Sequence, residues 1–224
     1  MKYLKKLVLF LLILLFPLMV ITSSIRIALT PLYISMEYTL PGFPPDDYGF
    51  TTADRLQWGQ YSIDYLLGKV PYSEFSTQSL PDGSALFNER EVSHMLDVHN
   101  LTAPVLTIWK ALLAFFLLAL LASILGKWSA DYLKALNNGA RLTILLIIMI
   151  LFSVWLNFDL LFTKFHQIFF TGDTWLFYVT DNLIRLFPMR FWRDLFIFIG
   201  TLTILASLLP ILLWRRHLKL KPVG

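Results

Sequence analysis

The sequence contains no cysteine, and charged residues make up only 15% of its 224 positions. The absence of cysteine excludes disulfides, thiolate metal ligands and a cysteine nucleophile. The charged fraction is well below the roughly 25% that is typical of soluble domains, whereas the apolar fraction, 57%, exceeds their usual 45–50% or so. Such a chain has too few polar groups to cover a soluble surface, so we expect lipid around much of it.

The net charge is +4, but the basic residues lie beside apolar segments and do not form a stripe. Proteins that bind nucleic acid concentrate their basic residues on one face or along one helix. Nucleic acid is therefore not an expected partner.

Four apolar stretches are long enough to cross a bilayer, which takes roughly 20 mostly apolar residues. Within these predicted spans, Pro104 is expected to open the second helix, because proline suits a first helical turn.

The first stretch has an alternative interpretation as a secretory signal peptide. Its apolar run is longer than the usual 7–15 or so residues, and Ser23–Arg26 has no clear small-x-small cleavage site, so we favour a retained anchor. The predicted spans are residues 1–26 with their N-terminal flank, 103–125, 142–162 and 195–214.

Basic residues are concentrated on one side of these spans. The N-terminal flank, the loop 126–141 and the tail 215–224 together carry ten basic residues and one acid, Asp131. Cytoplasmic flanks of membrane proteins carry an excess of Lys and Arg. We therefore expect a plasma-membrane protein with both termini on the cytoplasmic side. Segments 27–102 and 163–194 then lie outside the cell, where we expect any chemistry.

The long outer segment, 27–102, is too large for a plain loop, so we expect structure in it. Tyr33–Tyr38 is interpreted as extended, and Thr51–Asp54 is a helix-start pattern for an interfacial helix. A turn signal separates Phe75–Leu80 from Ala85–Phe87, which predicts a small hairpin. The predicted fold class is thus an all-α integral membrane protein, a four-transmembrane-helix bundle with a structured extracellular segment between helices 1 and 2.

Two histidines are candidates for chemistry. His94 follows a capping pattern at Asn88–Glu91, shares a helix face with Glu91 and precedes Asp97 by three residues. His166 follows the third span, so both histidines are expected just outside the hydrocarbon on the same side. They are either interfacial residues in polar networks or functional groups, because ionisable groups near the membrane core are functional candidates.

Other kinds of site are less well supported. The two histidines with Asp97, Glu91 or Asp173 could hold zinc, but no His-Glu-x-x-His spacing is present. A serine nucleophile lacks the Gly-x-Ser-x-Gly pattern. We therefore expect acid–base chemistry by histidine without a covalent intermediate, if the protein is a catalyst.

Arg26 and Asp159 lie near the outer ends of spans one and three. A structural ion pair and substrate anchoring are both compatible with their positions, and the sequence does not separate the two.

Two blocks of sequence resemble the signatures of a known family. Glu89–Val98 contains His94, and Phe165–Phe177 contains His166; with Tyr48–Thr51 and the four-span layout, they resemble the lipoprotein intramolecular transacylase family, Lit, of low-GC Gram-positive bacteria. The two histidine blocks are fairly specific, and the resemblance covers nearly the whole chain.

The resemblance implies a substrate and a reaction. The substrate is a lipoprotein whose N-terminal cysteine carries a diacylglyceryl group and a free α-amino group, and the sn-2 acyl chain moves to that amine to give the lyso-form. The family's two catalytic histidines correspond to His94 and His166. The expected partners are this lipoprotein and membrane lipids; we expect a monomer, no cofactor and no metal.

We expect His94 to be the general base, oriented by Glu91 or Asp97, and His166 to polarise the carbonyl or protonate the leaving alkoxide; the reverse assignment stays open. The further residues expected to support the site or bind substrate are Asp173, Trp175 and Arg26. Two rival functions remain: a non-catalytic membrane transport or sensor component, and another lipid-ester hydrolase or acyltransferase.

Overall fold

The computed structural model describes residues 2–220, and nearly all of its regular structure is helical. The predicted cytoplasmic tail is described only to residue 220, so Lys221, one of its basic residues, lies outside the described residues. The helices are α1 (Lys2–Ala28), α2 (Pro31–Thr39), α3 (Thr52–Leu66), α4 (Tyr72–Phe75), α5 (Glu89–Leu125), α6 (Ser129–Leu156), α7 (Phe158–Phe169), α8 (Asn182–Leu186) and α9 (Met189–Lys219).

Four of these helices, α1, α5, α6 and α9, are long and apolar enough to cross a membrane. Their number agrees with the four predicted spans. The described chain divides into two compact units, and each long helix contributes residues to both. The first unit comprises 2–25, 107–152 and 197–220 of the described residues, and the second unit comprises 26–106 and 153–196.

The first unit contains apolar helix segments that pack closely through small residues. A Cβ atom on Gly139 would lie 2.6 Å from Cβ of Phe16, so only glycine allows α6 to approach α1 this closely. Polar side chains join α1 to two other helices: Trp109 Nε1 of α5 donates to Ser23 Oγ at 3.1 Å, and Thr203 Oγ1 of α9 donates to Ser24 Oγ at 2.9 Å. These hydrogen bonds satisfy indole and hydroxyl groups for which lipid chains offer no hydrogen-bond partner.

The second unit is built on α2 and α3, which pack against each other. A Cβ on Gly59 would lie 3.0 Å from the Tyr38 hydroxyl, which shows how near the two helices come. The hydroxyls of Tyr33 and Tyr38 donate to the carbonyl oxygens of Phe191 and Leu186, at 2.9 and 2.8 Å. The second unit is thereby tied together by chain segments about 150 residues apart.

A buried ion pair joins the loop before α3 to α8. The Asp46 carboxylate, whose side chain is 2% exposed, lies 2.9 Å from Arg185 Nη2, and Phe50 donates its amide to the same carboxylate. Arg55 donates to the carbonyl oxygen of Arg185 at 3.0 Å. These contacts place α8 beside α3.

One local prediction was confirmed and two were wrong. Thr51 and Asp54 form the predicted capping box at the start of α3. Tyr33–Tyr38 is helical and not extended, because Pro31 opens a helix whose tyrosines are buried against the second unit. The predicted hairpin amounts to one isolated bridge, Ser79 to Ala85, and the described residues contain no strand.

The helix ends also differ from the expected span ends. Pro104 lies inside α5, which is continuous from the capped Asn88 turn through the apolar stretch. The third apolar stretch is interrupted at Asn157, whose side chain accepts from Leu160 N at 2.9 Å and begins α7 as a separate helix. Asparagine favours this cap position because its oxygen satisfies a free helix amide. The limits of the spans within the bilayer stay a prediction.

Candidate active site

A capping box at the start of α5 determines where His94 lies. The Asn88 side chain accepts from the amide of Glu91 at 3.1 Å, and one oxygen of the Glu91 carboxylate accepts from the amide of Asn88 at 2.8 Å. The other carboxylate oxygen accepts from the amide of Leu183 at 2.5 Å. Glu91 is 1% exposed, so its buried carboxyl oxygens need these backbone amides as partners, and the bond to Leu183 fastens α8 to α5.

His166 is placed by α7, the short helix that begins at Asn157. Its Nδ1 lies 2.8 Å from the carbonyl oxygen of Phe162, one turn earlier. Because a carbonyl oxygen only accepts, Nδ1 carries the proton and Nε2 keeps its lone pair in the neutral ring. This hydrogen bond therefore determines the tautomer of His166.

The structure brings the two predicted histidines together within the second unit. Their ring centroids are 6.0 Å apart and their planes are inclined by 25°. His94 is 6% exposed and His166 is 7% exposed, and Nδ1 of His94 has no hydrogen-bond partner among the described residues. Two imidazoles from separate helices thus face one small region of the protein.

Aromatic rings enclose both imidazoles. They are Phe170 and Phe177 beside His94, at centroid distances of 5.0 and 5.3 Å, and Phe162 and Trp175 beside His166, at 4.1 and 5.0 Å. Such rings exclude water and offer no hydrogen bond to an imidazolium ion. The site is therefore apolar apart from the histidines themselves.

This burial changes the protonation of the pair. His94 lies nine residues before the apolar stretch 103–125, and burial, with a smaller contribution from His166, lowers its pKa to about 4. Burial also lowers the pKa of His166, although its hydrogen bond to Phe162 acts in the other direction. Both rings are consequently neutral at pH 7, which suits a base and a hydrogen-bond donor.

Three further predicted site residues, Asp97, Asp173 and Trp175, lie in or against the loop after α7. Asp97 accepts from the Thr174 hydroxyl at 3.3 Å, which ties the loop after α7 to α5. The Trp175 ring lies 5.0 Å from the His166 ring, inclined by 35°, and Trp175 Nε1 donates to the carbonyl oxygen of Gly172 at 3.1 Å. Asp173 is exposed in the same loop. No hydrogen bond joins His94 to Glu91 or Asp97 within residues 2–220, so the expected orienting contact is not formed.

Arg26 does not reach the histidines through any hydrogen bond in the described part of the chain. It donates to the carbonyl oxygen of Leu29 at 3.3 Å, near the end of α1. Neither Arg26 nor Asp159 takes part in an ion pair within 4.0 Å among the described residues. The structural ion pair is therefore not formed among the described residues, and substrate anchoring by Arg26 stays a prediction.

Sequence reasoning missed three contributors to the site. The carbonyl of Phe162 was predictable, because a histidine on a helix lies near the carbonyl four residues earlier. Phe170 and Phe177 lie within the second histidine block, but a contact with His94 across the fold left no local signal. Over residues 2–220 no three His, Asp or Glu side chains gather in a metal-binding cluster.

The chain has clear similarities to known proteins. A family model described as "Lipoprotein intramolecular transacylase Lit" matches residues 10–192. A protein of Aquifex aeolicus (strain VF5), described as uncharacterized, is 28% identical over 209 residues, 92% of this chain and 92% of the relative. The match to the family model covers most of the chain and includes both histidine blocks.

Solved structures agree with the fold. The in meso structure of the membrane-integral lipoprotein intramolecular transacylase Lit from Bacillus cereus is 19% identical, with a TM-score of 0.76 and 100% of both chains covered. The structure of a histidine-to-alanine variant of that protein is 20% identical, with a TM-score of 0.73, covering 100% of this chain and 97% of the other. At such low identity these structures support the fold alone, which confirms the predicted fold class. The family model carries the assignment: the chain belongs to the lipoprotein intramolecular transacylase family, Lit, and is a membrane-integral acyltransferase.

Proposed function

We propose that the enzyme moves the sn-2 acyl chain of a diacylglyceryl lipoprotein onto the α-amino group of the same lipoprotein's N-terminal cysteine. His94 and His166 act together, without a covalent intermediate. The observation that carries this proposal is the pair of buried imidazoles, 6.0 Å apart and neutral at pH 7. An ester and an amine of one molecule can meet between two such rings.

His166 is the general base in this proposal. Its Nδ1 proton is engaged by the carbonyl oxygen of Phe162, so the lone pair of Nε2 is free to accept a proton. An α-amino group has a pKa near 8, so a minor fraction of the amine is neutral at pH 7 and able to attack. As the amine attacks, Nε2 takes its proton.

The proton is then returned within the same cycle. The amine nitrogen forms a bond to the ester carbonyl carbon, which gives a tetrahedral oxyanion. Collapse of this species breaks the bond to the glyceryl oxygen, and the His166 imidazolium protonates that oxygen as it leaves. The products are an amide and a hydroxyl group, and both histidines end in their starting form.

His94 stabilises the oxyanion in this proposal. A ring with a pKa near 4 stays neutral and donates one hydrogen bond from its protonated nitrogen, and an oxyanion in an apolar site gains more from that bond than it would in water. This reverses the roles expected from sequence, in which His94 was the base. Support for the reversal comes from Glu91, whose two oxygens accept from backbone amides, while no hydrogen bond joins Glu91 to His94 among the described residues.

The location of the site is part of the proposal. The flanks rich in Lys and Arg are cytoplasmic, and the second unit, with both histidines, lies at the extracellular face. The enzyme acts as a monomer. A diacylglyceryl group is then held at the membrane surface beside a polypeptide that has crossed it. Proximity of amine and ester is a large source of rate, up to roughly 7–11 kcal/mol in the best intramolecular cases.

Expression in a host that makes diacyl lipoproteins tests the proposal. Intramolecular transfer leaves the mass of the lipopeptide unchanged, so fragmentation mass spectrometry has to find the acyl chain on nitrogen. His94→Ala and His166→Ala are each expected to abolish conversion while the protein still inserts. His99→Ala is the matched control, because this histidine of α5 contacts Tyr65 and not the pair. Lipopeptides that keep a free amine with the wild-type enzyme would contradict the assignment.

A further inference from the structure

A cleft formed by polar residues lies one helical turn before His94 in the second unit. It has a volume of about 490 Å³ and combines an amide, two carboxylates, a guanidinium group and an exposed phenol ring. These side chains belong to the first turn of α5 and to the loop after α7. The lining residues are Asn88, Glu89, Arg90, Tyr178 and Asp181.

Hydrogen bonds give the cleft a defined shape. Asn88 Nδ2 donates to one Asp181 carboxylate oxygen at 3.1 Å, and the amide of Tyr178 donates to the other at 2.8 Å. Arg90 donates to the carbonyl oxygen of Leu176 at 3.2 Å, and its guanidinium carbon lies 5.6 Å from the centre of the Tyr178 ring. The carboxylate of Glu89 is exposed and joins no ion pair among the described residues.

The cleft is one helical turn from the proposed chemistry. Arg90 precedes His94 by four residues on α5, a separation of about 5–6 Å between neighbouring side chains on a helix. On the loop, Tyr178 follows Phe177, whose ring is 5.3 Å from His94. A chain that starts at the reacting amine and extends by about 3.3–3.6 Å per residue reaches the cleft with its second or third residue.

We propose that this cleft binds the polypeptide that follows the lipidated cysteine of the substrate, and that it favours basic over acidic side chains there. This inference rests on the proposed transacylation. Two carboxylates against one guanidinium make the cleft net negative, which disfavours the phosphate of a lipid headgroup. An acyl chain would offer no hydrogen bonds to the two carboxylates and the amide of the cleft, whereas peptide groups can use them and the Tyr178 ring offers a flat surface for a side chain.

Three synthetic substrates test the inference with purified enzyme in detergent at low salt. One is diacylglyceryl-cysteine amide, which has no further residues; the others carry Ser-Lys-Lys or Ser-Glu-Glu after the cysteine. The wild-type enzyme is expected to have a kcat/KM about two- to five-fold higher for the lysine peptide than for the glutamate peptide, the range of exposed charge pairs. The preference should shrink at high salt.

Two variants with matched controls assign the effect to the cleft. Glu89→Gln is expected to halve the lysine preference or remove it, whereas Glu74→Gln, an exposed acid in the first turn of α4, leaves it intact. Tyr178→Ala is expected to raise KM several-fold for both peptides but not for the amide. Tyr72 is another exposed tyrosine of the second unit, and Tyr72→Ala is expected to leave KM unchanged for all three substrates. Equal effects of Tyr178→Ala on all three substrates, or an unchanged preference in Glu89→Gln, would overturn the inference.

A binding measurement separates this inference from the proposed reaction. Equilibrium binding of fluorescent forms of the three substrates to His166→Ala needs no turnover, and the cleft predicts the order lysine peptide, glutamate peptide, amide. If the wild type converts none of the substrates but this order is found, the transacylation fails and the peptide site stands. Equal binding of all three, or competition by phosphatidylglycerol that Tyr178→Ala relieves, overturns the peptide site.

Discussion

The Nδ1 atom of His166 lies 2.8 Å from the carbonyl oxygen of Phe162, one turn earlier on the same helix. In catalytic sites a histidine is commonly held by a carboxylate, which also stabilises the imidazolium ion that forms. Here a neutral carbonyl holds the ring, which fixes the tautomer with little stabilisation of the charge. In the proposed mechanism, His166 is therefore a weak base that releases its proton readily to the leaving alkoxide.

Glutamine substitutions distinguish the roles of the two histidines. Glutamine carries a donor near the position of Nε2 but is not a base, so His94→Gln is expected to keep part of the activity that His94→Ala loses. His166→Gln is expected to be as inactive as His166→Ala, with kcat reduced by about 10²–10⁴-fold. Turnover of a diacylglyceryl lipopeptide measures all four variants; rescue by glutamine at His166 and not at His94 would reverse the assignment.

The pH dependence of kcat is expected to show an acid limb below pH 6.5. Burial lowers the pKa of His166 below that ordinary value, and protonation of Nε2 removes the base, so activity falls only when the pH drops beneath the lowered pKa. The pH dependence of kcat/KM should also show the titration of the substrate amine near pH 8, because only the neutral amine attacks. A histidine limb in kcat above pH 7 would contradict the burial argument.

Asn157 is expected to stabilise the helix that carries His166. Its side chain accepts from the amide of Leu160 at 2.9 Å, and loss of such a cap costs about 1 kcal/mol of the free energy of unfolding. Asn157→Ala should lower the thermal unfolding midpoint and kcat together, whereas Asn157→Ser keeps an acceptor and should retain both. Asn100→Ala, an exposed position inside α5, is the control and should not lower the midpoint.

Glu37 is expected to make stability fall as the pH rises. It is fully buried on α2 beside the Tyr33 hydroxyl, which donates to the carbonyl oxygen of Phe191. Burial, with repulsion from Asp194 as the next contribution, raises the pKa of Glu37 to about 7. The folded protein then holds a proton that the unfolded chain releases near pH 4.5, so the free energy of unfolding decreases between about pH 4.5 and 7.

Glu37→Gln tests this linkage, because a glutamine stays neutral at every pH. The variant should match the wild type near pH 4 and be more stable at pH 8, with a flatter pH profile between. Thermal unfolding across this range measures the difference. Glu74→Gln, at an exposed glutamate, should reproduce the wild-type profile. A Gln variant that is less stable at pH 8 would mean that the folded protein stabilises the charged form of Glu37, which contradicts a raised pKa.

The membrane character, the number of long helices and the two histidine blocks were predictable from the sequence. Runs of apolar residues have one low-energy environment, and a capping box such as Thr51–Asp54 depends on residues three apart, so both leave local signals. The helix at Tyr33–Tyr38 was not predictable in this way. Its aromatic residues have strand propensity, and burial against Leu186 and Phe191 outweighs that preference.

The sequence by itself determined that the chain belongs in a membrane, and it identified His94 and His166 as candidate catalytic residues. Only the tertiary structure decided that the rings lie 6.0 Å apart, and that Glu91 serves the backbone of Leu183 instead of a histidine. The physical reason is range. Partition into lipid and helix capping are properties of short stretches, whereas pairing of two imidazoles and their desolvation require packing of segments about 70 residues apart in the chain.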